Sequence, residues 1–178
     1  ADPVATPDSA AALLFERWYL ALARRVFEPA LGADLYERLL TRNYLLNHAL
    51  DRLVVAEPDS PWWQDEREAR IAGAFRDAVA ALASAHGDDP ARWRWGEVHR
   101  LRIRHELGGA VPGLGRWLNR EGAEWGGGTQ TVGRANYRYD RGERITHGAT
   151  VRVVVELGSP PRAHAITPGG QSGHPASP

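Results

Sequence analysis

Residues 150–157, with Val151, Val153, Val154 and Val155 in a nearly unbroken run, constrain the fold of this chain more than any other segment. Valine carries two heavy atoms on Cβ and suits a pleated strand better than a helix. A strand with one wet face alternates apolar and polar residues, whereas a continuous apolar run reads as a strand covered on both faces. Gly158, Ser159, Pro160 and Pro161 form a turn, and residues 163–167 supply a short hairpin partner. A sheet covered on both faces needs more layers than the few strands here can provide. The expectation is a partial sheet, completed by polypeptide outside this sequence.

The first half reads as helical. Asp8 or Ser9 can cap a helix in which Leu14, Trp18, Leu22 and Val26 recur every fourth residue, with Pro29 and Gly32 as punctuation. A second helical stretch, 34–53, carries Leu35, Leu39, Leu46, Leu50 and Leu53. After a Pro-rich break, Asp65 and Glu68 form a capping box for a third helix, which presents Ile71, Phe75, Val79 and Leu82. These stripes are core faces.

From about residue 91 the pattern changes. Leu101, Ile103 and His105 alternate; Gly108, Gly109, Pro112 and Gly113 mark turns. Residues 129–132 and 135–139 read as short strands separated by Gly133. The fold class is therefore α+β. A mainly helical segment, 1–90, precedes a strand-and-turn segment, 91–168, and a Gly/Ser/Pro-rich end, 169–178, all within one domain-sized piece.

Several function classes are excluded by composition. With 22 basic and 22 acidic residues the formal charge is zero, which argues against a phosphate-binding surface and a nucleic-acid partner. No apolar run approaches the roughly 18 residues that cross a bilayer. Zero Cys removes disulfides, thiolate metal sites and a cysteine nucleophile. Every basic residue other than His is Arg, so a Walker-type phosphate loop, which needs Lys, cannot be built. Gly170, Gln171, Ser172 and Gly173 resemble a nucleophile elbow only superficially, because Pro168 precedes them and no helix follows. His99 and His105 lie six apart on an alternating segment, a poor arrangement for a shared metal.

Two features remain. Glu156 closes the Val-rich strand, where a charge must reach water or meet a partner. It is either a solvated strand end or a supporting carboxylate that orients a His or ammonium group from another part of the protein. Trp62, Trp63, Trp93 and Trp125 could stack a ligand if exposed, making the chain a self-contained binding module, although core anchoring is the simpler role for Trp93 and Trp95.

The ordered set of segments carries a resemblance. Leu14, Phe15, Glu16 and Trp18 are followed by Pro61, Trp62, Trp63 and Asp65, then by Trp93, Trp95, Gly96 and His99. His105 and Leu107, Gly127 and Gly128, Thr131 and Val132, residues 147–155 and residues 168–178 continue the series. Together they resemble the C-terminal part of the β-chain of penicillin-acylase-type amidohydrolases. The resemblance implies a four-layer αββα N-terminal-nucleophile fold, whose Ser hydroxyl attacks an amide carbonyl with its own α-amino group as base. It implies the remaining α- and β-chain segments as partners, a small N-acyl amide as substrate, and a periplasmic or secreted location.

Ala1 has no nucleophilic side chain, and Asn43, Asn47, Asn119 and Asn136 stand outside the family's oxyanion motif. No cofactor is expected in this chain, and the structural calcium of relatives falls elsewhere. Glu156 matches a position where some relatives carry a Glu that supports the active-site His. It is the single catalytic candidate, in a supporting role. The absence of Met and the halt just before the family's closing motif lead to the expectation of a fragment, inactive alone.

Overall fold

The computed structural model describes residues 5–149 and 151–166. Its first helix, α1 (Ala10–Leu31), begins where Ser9 accepts a hydrogen bond from Ala12 N at 3.1 Å. This is the N-cap that the sequence suggested. Pro29 does not end the helix. It lies inside the last turn, and the chain leaves the helix at Gly32, whose φ of +76° is open to glycine at low cost.

Leu13, Tyr19, Leu22, Ala23, Val26 and Phe27 are the buried residues of α1. Leu14 and Trp18 lie at the edge of that face, only partly covered. The expected second helix is two: α2 (Ala33–Leu40) and α3 (Asn43–Val55). Arg42 breaks it with φ −120° and ψ 61°. The break allows Tyr36 and Leu40 of α2 and Leu46, Leu50 and Leu53 of α3 to enter the same core.

The capping box at Asp65 does not form. Gln64 and Asp65 both adopt left-handed φ, 50° and 60°, as the chain turns out of a short 3₁₀ segment, Pro61–Trp63. The helix α4 (Arg67–His86) therefore starts later, with Glu66 as an N-cap that makes no side-chain bond and Glu68 in its first turn. Of the expected apolar row, Leu82 is buried and Ile71 and Val79 pack partly against the core. Gly73, Ala74, Ala78 and Leu82 point inward, while Phe75 is 48% exposed. Small residues let α4 approach α1 closely: a Cβ built on Gly73 would sit 2.8 Å from the Arg25 guanidinium carbon.

A second 3₁₀ turn, Pro90–Arg92, and the short helix α5 (Trp95–Val98) lead into the strand half. There β1 (Arg100–Ile103) pairs antiparallel with β2 (Arg120–Glu124). Between them lie α6 (Glu106–Ala110) and α7 (Gly115–Leu118), so Gly108 and Gly109 are helical and not a turn. The strands β3 (Ala135–Tyr137) and β4 (Ile145–Gly148) make a second antiparallel pair. Residues 129–132 form no strand. They loop back so that Gly128 bridges Arg134.

The last pair joins β5 (Arg152–Glu156) to β6 (Arg162–Ile166) in continuous register, with Val154 opposite His164. The expected hairpin is present, but nothing described covers it. Val153, Val154 and Val155 are 53%, 69% and 53% exposed, so both faces of β5 are open. Among the described residues the three sheets are each two-stranded, and the architecture is α+β. One hydrophobic cluster spans both halves, from Leu13 and Leu22 through Leu46 and Leu50 to Trp95, Tyr137 and Tyr139.

Candidate functional site

Three elements place polar side chains on one buried layer. Glu16 and Tyr19 are three apart on α1, Asn47 and Asp51 four apart on α3, so each pair shares a helix face. Tyr137 ends β3 and Tyr139 lies in the turn after it, their ring centroids 5.2 Å apart. Trp95 Nε1 donates to Gly127 O at 2.8 Å and Gly127 N donates to Ala5 O at 2.7 Å, which fixes the loop carrying Thr129, Gln130 and Thr131. All of these but Asn47 and Tyr137, together with Phe15, line an open, mainly apolar cavity of about 620 Å³.

Tyr137 Oη donates to Glu16 Oε2 at 2.7 Å. Burial holds the Glu16 carboxyl above the usual carboxylate range; the Tyr137 hydroxyl opposes this and the nearby Glu143 charge adds to it. Tyr19 Oη lies 2.8 Å from Asp51 Oδ1 and receives a hydrogen from Gln130 Nε2 at 3.2 Å. Burial first, and then Asp51, push its phenol up. Tyr139 Oη lies 2.7 Å from Asn47 Oδ1 and 2.9 Å from Thr129 Oγ1, with its phenol pushed up to about 12 chiefly by burial. Asn43 Nδ2 donates to Tyr137 O, so α3 grips the strand through backbone as well as side chain.

His99 lies against this layer. It is fully buried, stacked on Trp95 with centroids 4.3 Å apart, and its Nδ1 lies 2.7 Å from Glu143 O. A carbonyl only accepts, so Nδ1 carries the hydrogen and Nε2 is the bare nitrogen. Nε2 is buried without a hydrogen-bond partner, and burial lowers the imidazole's proton affinity. Glu143 itself is held by Arg17 at 2.7 Å.

The arrangement ties α1, α3 and β3 together. Its tyrosines stay protonated and act as hydrogen-bond donors or acceptors. Ser9 Oγ is used in capping α1, and Thr131 Oγ1 accepts from Gly128 N at 2.8 Å. No group of three or more His, Asp or Glu among the described residues is placed to hold a metal ion.

Glu156 is exposed at the end of β5, opposite Arg162 and outside the cavity lining. Ala1 and Ser172 lie outside the described residues. The four asparagines have structural partners. Asn43 and Asn47 hold Tyr137 and Tyr139, Asn119 Oδ1 accepts from His105 N at 3.0 Å, and Asn136 Oδ1 accepts from Arg134 Nε at 3.3 Å.

The tryptophan platform is not formed. Trp62 and Trp125 are exposed as expected, but Trp63 and Trp93 are 1% and 3% exposed, because each of these two rings fills the core while its Nε1 finds a carbonyl, Glu57 O or Gly87 O. Arg94, between Trp93 and Trp95, turns outward to Asp8 and Glu124. Sequence reasoning missed Glu16, Tyr19, Asp51, Tyr137 and Tyr139 as a set. The available signals were a carboxylate between Phe15 and Trp18 on an apolar helix, and two tyrosines at strand spacing.

The sequence profile of the penicillin amidase family matches residues 2–178. The acyl-homoserine lactone acylase QuiP of Pseudomonas fluorescens is 27% identical over 187 residues, covering 99% of this chain and 22% of that protein. A penicillin acylase 2 proenzyme from a Pseudomonas strain is 36% identical over 168 residues, covering 85% of this chain and 22% of its own length. The QuiP of Pseudomonas aeruginosa is 25% identical, with 99% of this chain and 23% of that protein aligned.

Proposed function

The chain belongs to the penicillin amidase family, and from that membership we propose that it is the C-terminal portion of the β-chain of an acylase that cleaves amide bonds of N-acyl compounds. The chain spans 22% of the length of the acyl-homoserine lactone acylase and the penicillin acylase that it matches. Substrates carrying an acyl amide beside a lactone or β-lactam ring are the class proposed for the parent. An N-terminal Ser on another segment supplies the nucleophile. Its hydroxyl attacks the amide carbonyl as its own α-amino group takes the proton; the amine leaves, and water releases the acyl group.

The observation that carries this reading is the bare Val run. Three consecutive valines at 53%, 69% and 53% exposure on β5 support a strand made for the interior of a larger αββα sheet. In that setting this portion supplies structure, not the nucleophile, and alone it hydrolyses nothing. The parent's calcium is placed outside this chain. No helix among the described residues is long and apolar enough to cross a membrane, and a periplasmic or secreted parent is the reading adopted.

Glu156 is proposed as a positioning residue that orients an active-site His of another segment. Its test is the parent's pH profile. Glu156→Gln is expected to lower kcat more than it changes KM and to shift the acidic limb, while Glu156→Asp restores part of the rate. A profile unmoved by both variants removes that role. The overall reading is tested by amine release from N-acyl substrates by the parent acylase; a parent gene with no Ser, Thr or Cys at the start of its β-chain contradicts it.

A further inference from the structure

An open groove of about 610 Å³ lies between β1 and the turn that joins β3 to β4. Arg100, Arg102, Arg141 and Arg144 line it, with Glu97 and Glu143 as its carboxylates. β1 contacts β4, which draws the turn against the strand, and Gly142 closes that turn with φ +79°. Both carboxylates are already engaged. Glu97 Oε2 lies 3.2 Å from His86 Nδ1, and Glu143 Oε1 lies 2.7 Å from Arg17 Nη2.

Arg100 is held in place by Glu97 O at 3.0 Å and Gly122 O at 3.2 Å, with Glu124 at 3.5 Å. Arg141 is 68% exposed and only loosely paired with Asp140 at 3.7 Å, since Asp140 is taken by Arg138 at 2.6 Å. Arg144 is exposed. The lining carries four arginines against two carboxylates, and Arg141 and Arg144 are its exposed cations. A guanidinium presents planar paired donors that match a carboxylate, and a groove lined by one sign of charge selects the other.

We propose that this groove docks an acidic stretch of the remaining acylase polypeptide. The inference rests on the reading of the chain as part of a larger acylase. Relatives are matched over only 22% of their length, so most of such an enzyme lies outside this chain. Asp and Glu side chains from that portion complement the groove and fix how it meets β1 and the β3–β4 turn.

The chain has no lysine, which gives a clean test. Arg141→Lys, and separately Arg144→Lys, each place one side-chain amine at the groove while keeping its charge. A carbodiimide activates a carboxylate in contact; the amine attacks the acyl carbon, the urea leaves, and an amide remains. The reaction is run on the assembled parent acylase and the products are mapped by mass spectrometry. The expected product joins position 141 or 144 to an Asp or Glu outside this chain. Cross-links only to this chain's own carboxylates, cross-links only to a second copy, or no cross-link at all overturn the proposal. Amide turnover is scored separately. Turnover without the cross-link rejects the groove, whereas the cross-link without turnover keeps the groove and rejects the activity.

Discussion

Tyr137→Phe removes one hydroxyl from the buried polar layer and leaves the ring in place. Tyr137 donates to Glu16 Oε2 at 2.7 Å and is itself buried, so the variant strands the carboxylate without that donor. A hydrogen bond to a charged group contributes about 1.5–3 kcal/mol and a neutral one about 0.5–1.5 kcal/mol. Which value applies depends on the ionisation of Glu16, whose carboxyl burial holds above its ordinary value of 4.5.

A raised folded pKa means that the native state holds the proton more tightly than the unfolded state. The stability contributed by Glu16 is therefore fully present below 4.5 and lost as pH climbs through the folded value. Removing the hydroxyl deletes the influence that lowers this pKa, so in the variant the loss extends to higher pH. Urea unfolding of the whole chain, followed by tryptophan fluorescence, reads the difference. Trp95 is a suitable reporter because its ring centroid lies 6.0 Å from that of Tyr137. The expected destabilisation is about 0.5–1.5 kcal/mol near pH 4 and about 1.5–3 kcal/mol near pH 8. A cost that is equal at the two pH values, or below about 0.5 kcal/mol near pH 8, refutes the role given to this pair.

Two further outcomes are expected. His99 is held neutral by burial, so its contribution to stability is present above the unfolded value of 6.5 and lost as pH falls through its lower folded value. Nitrogen-15 NMR should show hydrogen on Nδ1 and no titration at or above 6.5; a titration there contradicts the buried tautomer. Val154→Asp should change the stability of the chain itself by no more than about 0.5 kcal/mol, because that side chain is 69% exposed. The same variant should abolish assembly of the parent acylase, read by co-purification and amide turnover, and a fully active parent would show that β5 is not an interior strand.

The helical half was legible where local chemistry decides. Ser9 caps α1 because its hydroxyl meets Ala12 N, and the Leu and Val spacing of α1 and α3 defines core faces. Asp65 looked equally good, but the packing of Trp63 and the left-handed turn after it shift the start of α4, which no local pattern encodes. Phe75 was misplaced for a similar reason: the close α1–α4 approach selects Gly73, Ala74 and Ala78 over larger side chains.

The hairpin β5–β6 was legible because β-branched residues and the Gly-Pro turn agree. Its bare surface agrees with the expectation that its cover lies outside this sequence, but what covers it was not legible, since a sequence specifies what wants covering and not what covers it. The polar layer escaped notice because Glu16, Asp51 and Tyr139 are far apart in the chain and meet only through the packing of α1 and α3 on the strand half.

Amine release decides whether this chain is a structural portion of an amide-hydrolysing acylase with its nucleophile elsewhere. Purified chain and complete parent acylase are each incubated with an N-acyl-homoserine lactone and with a penicillin, and the freed amine is measured. Turnover of at least one substrate by the parent, and none by the chain alone, is expected. Reproducible turnover by the chain alone, abolished by substitution within it, would place the nucleophile in this chain and overturn that assignment.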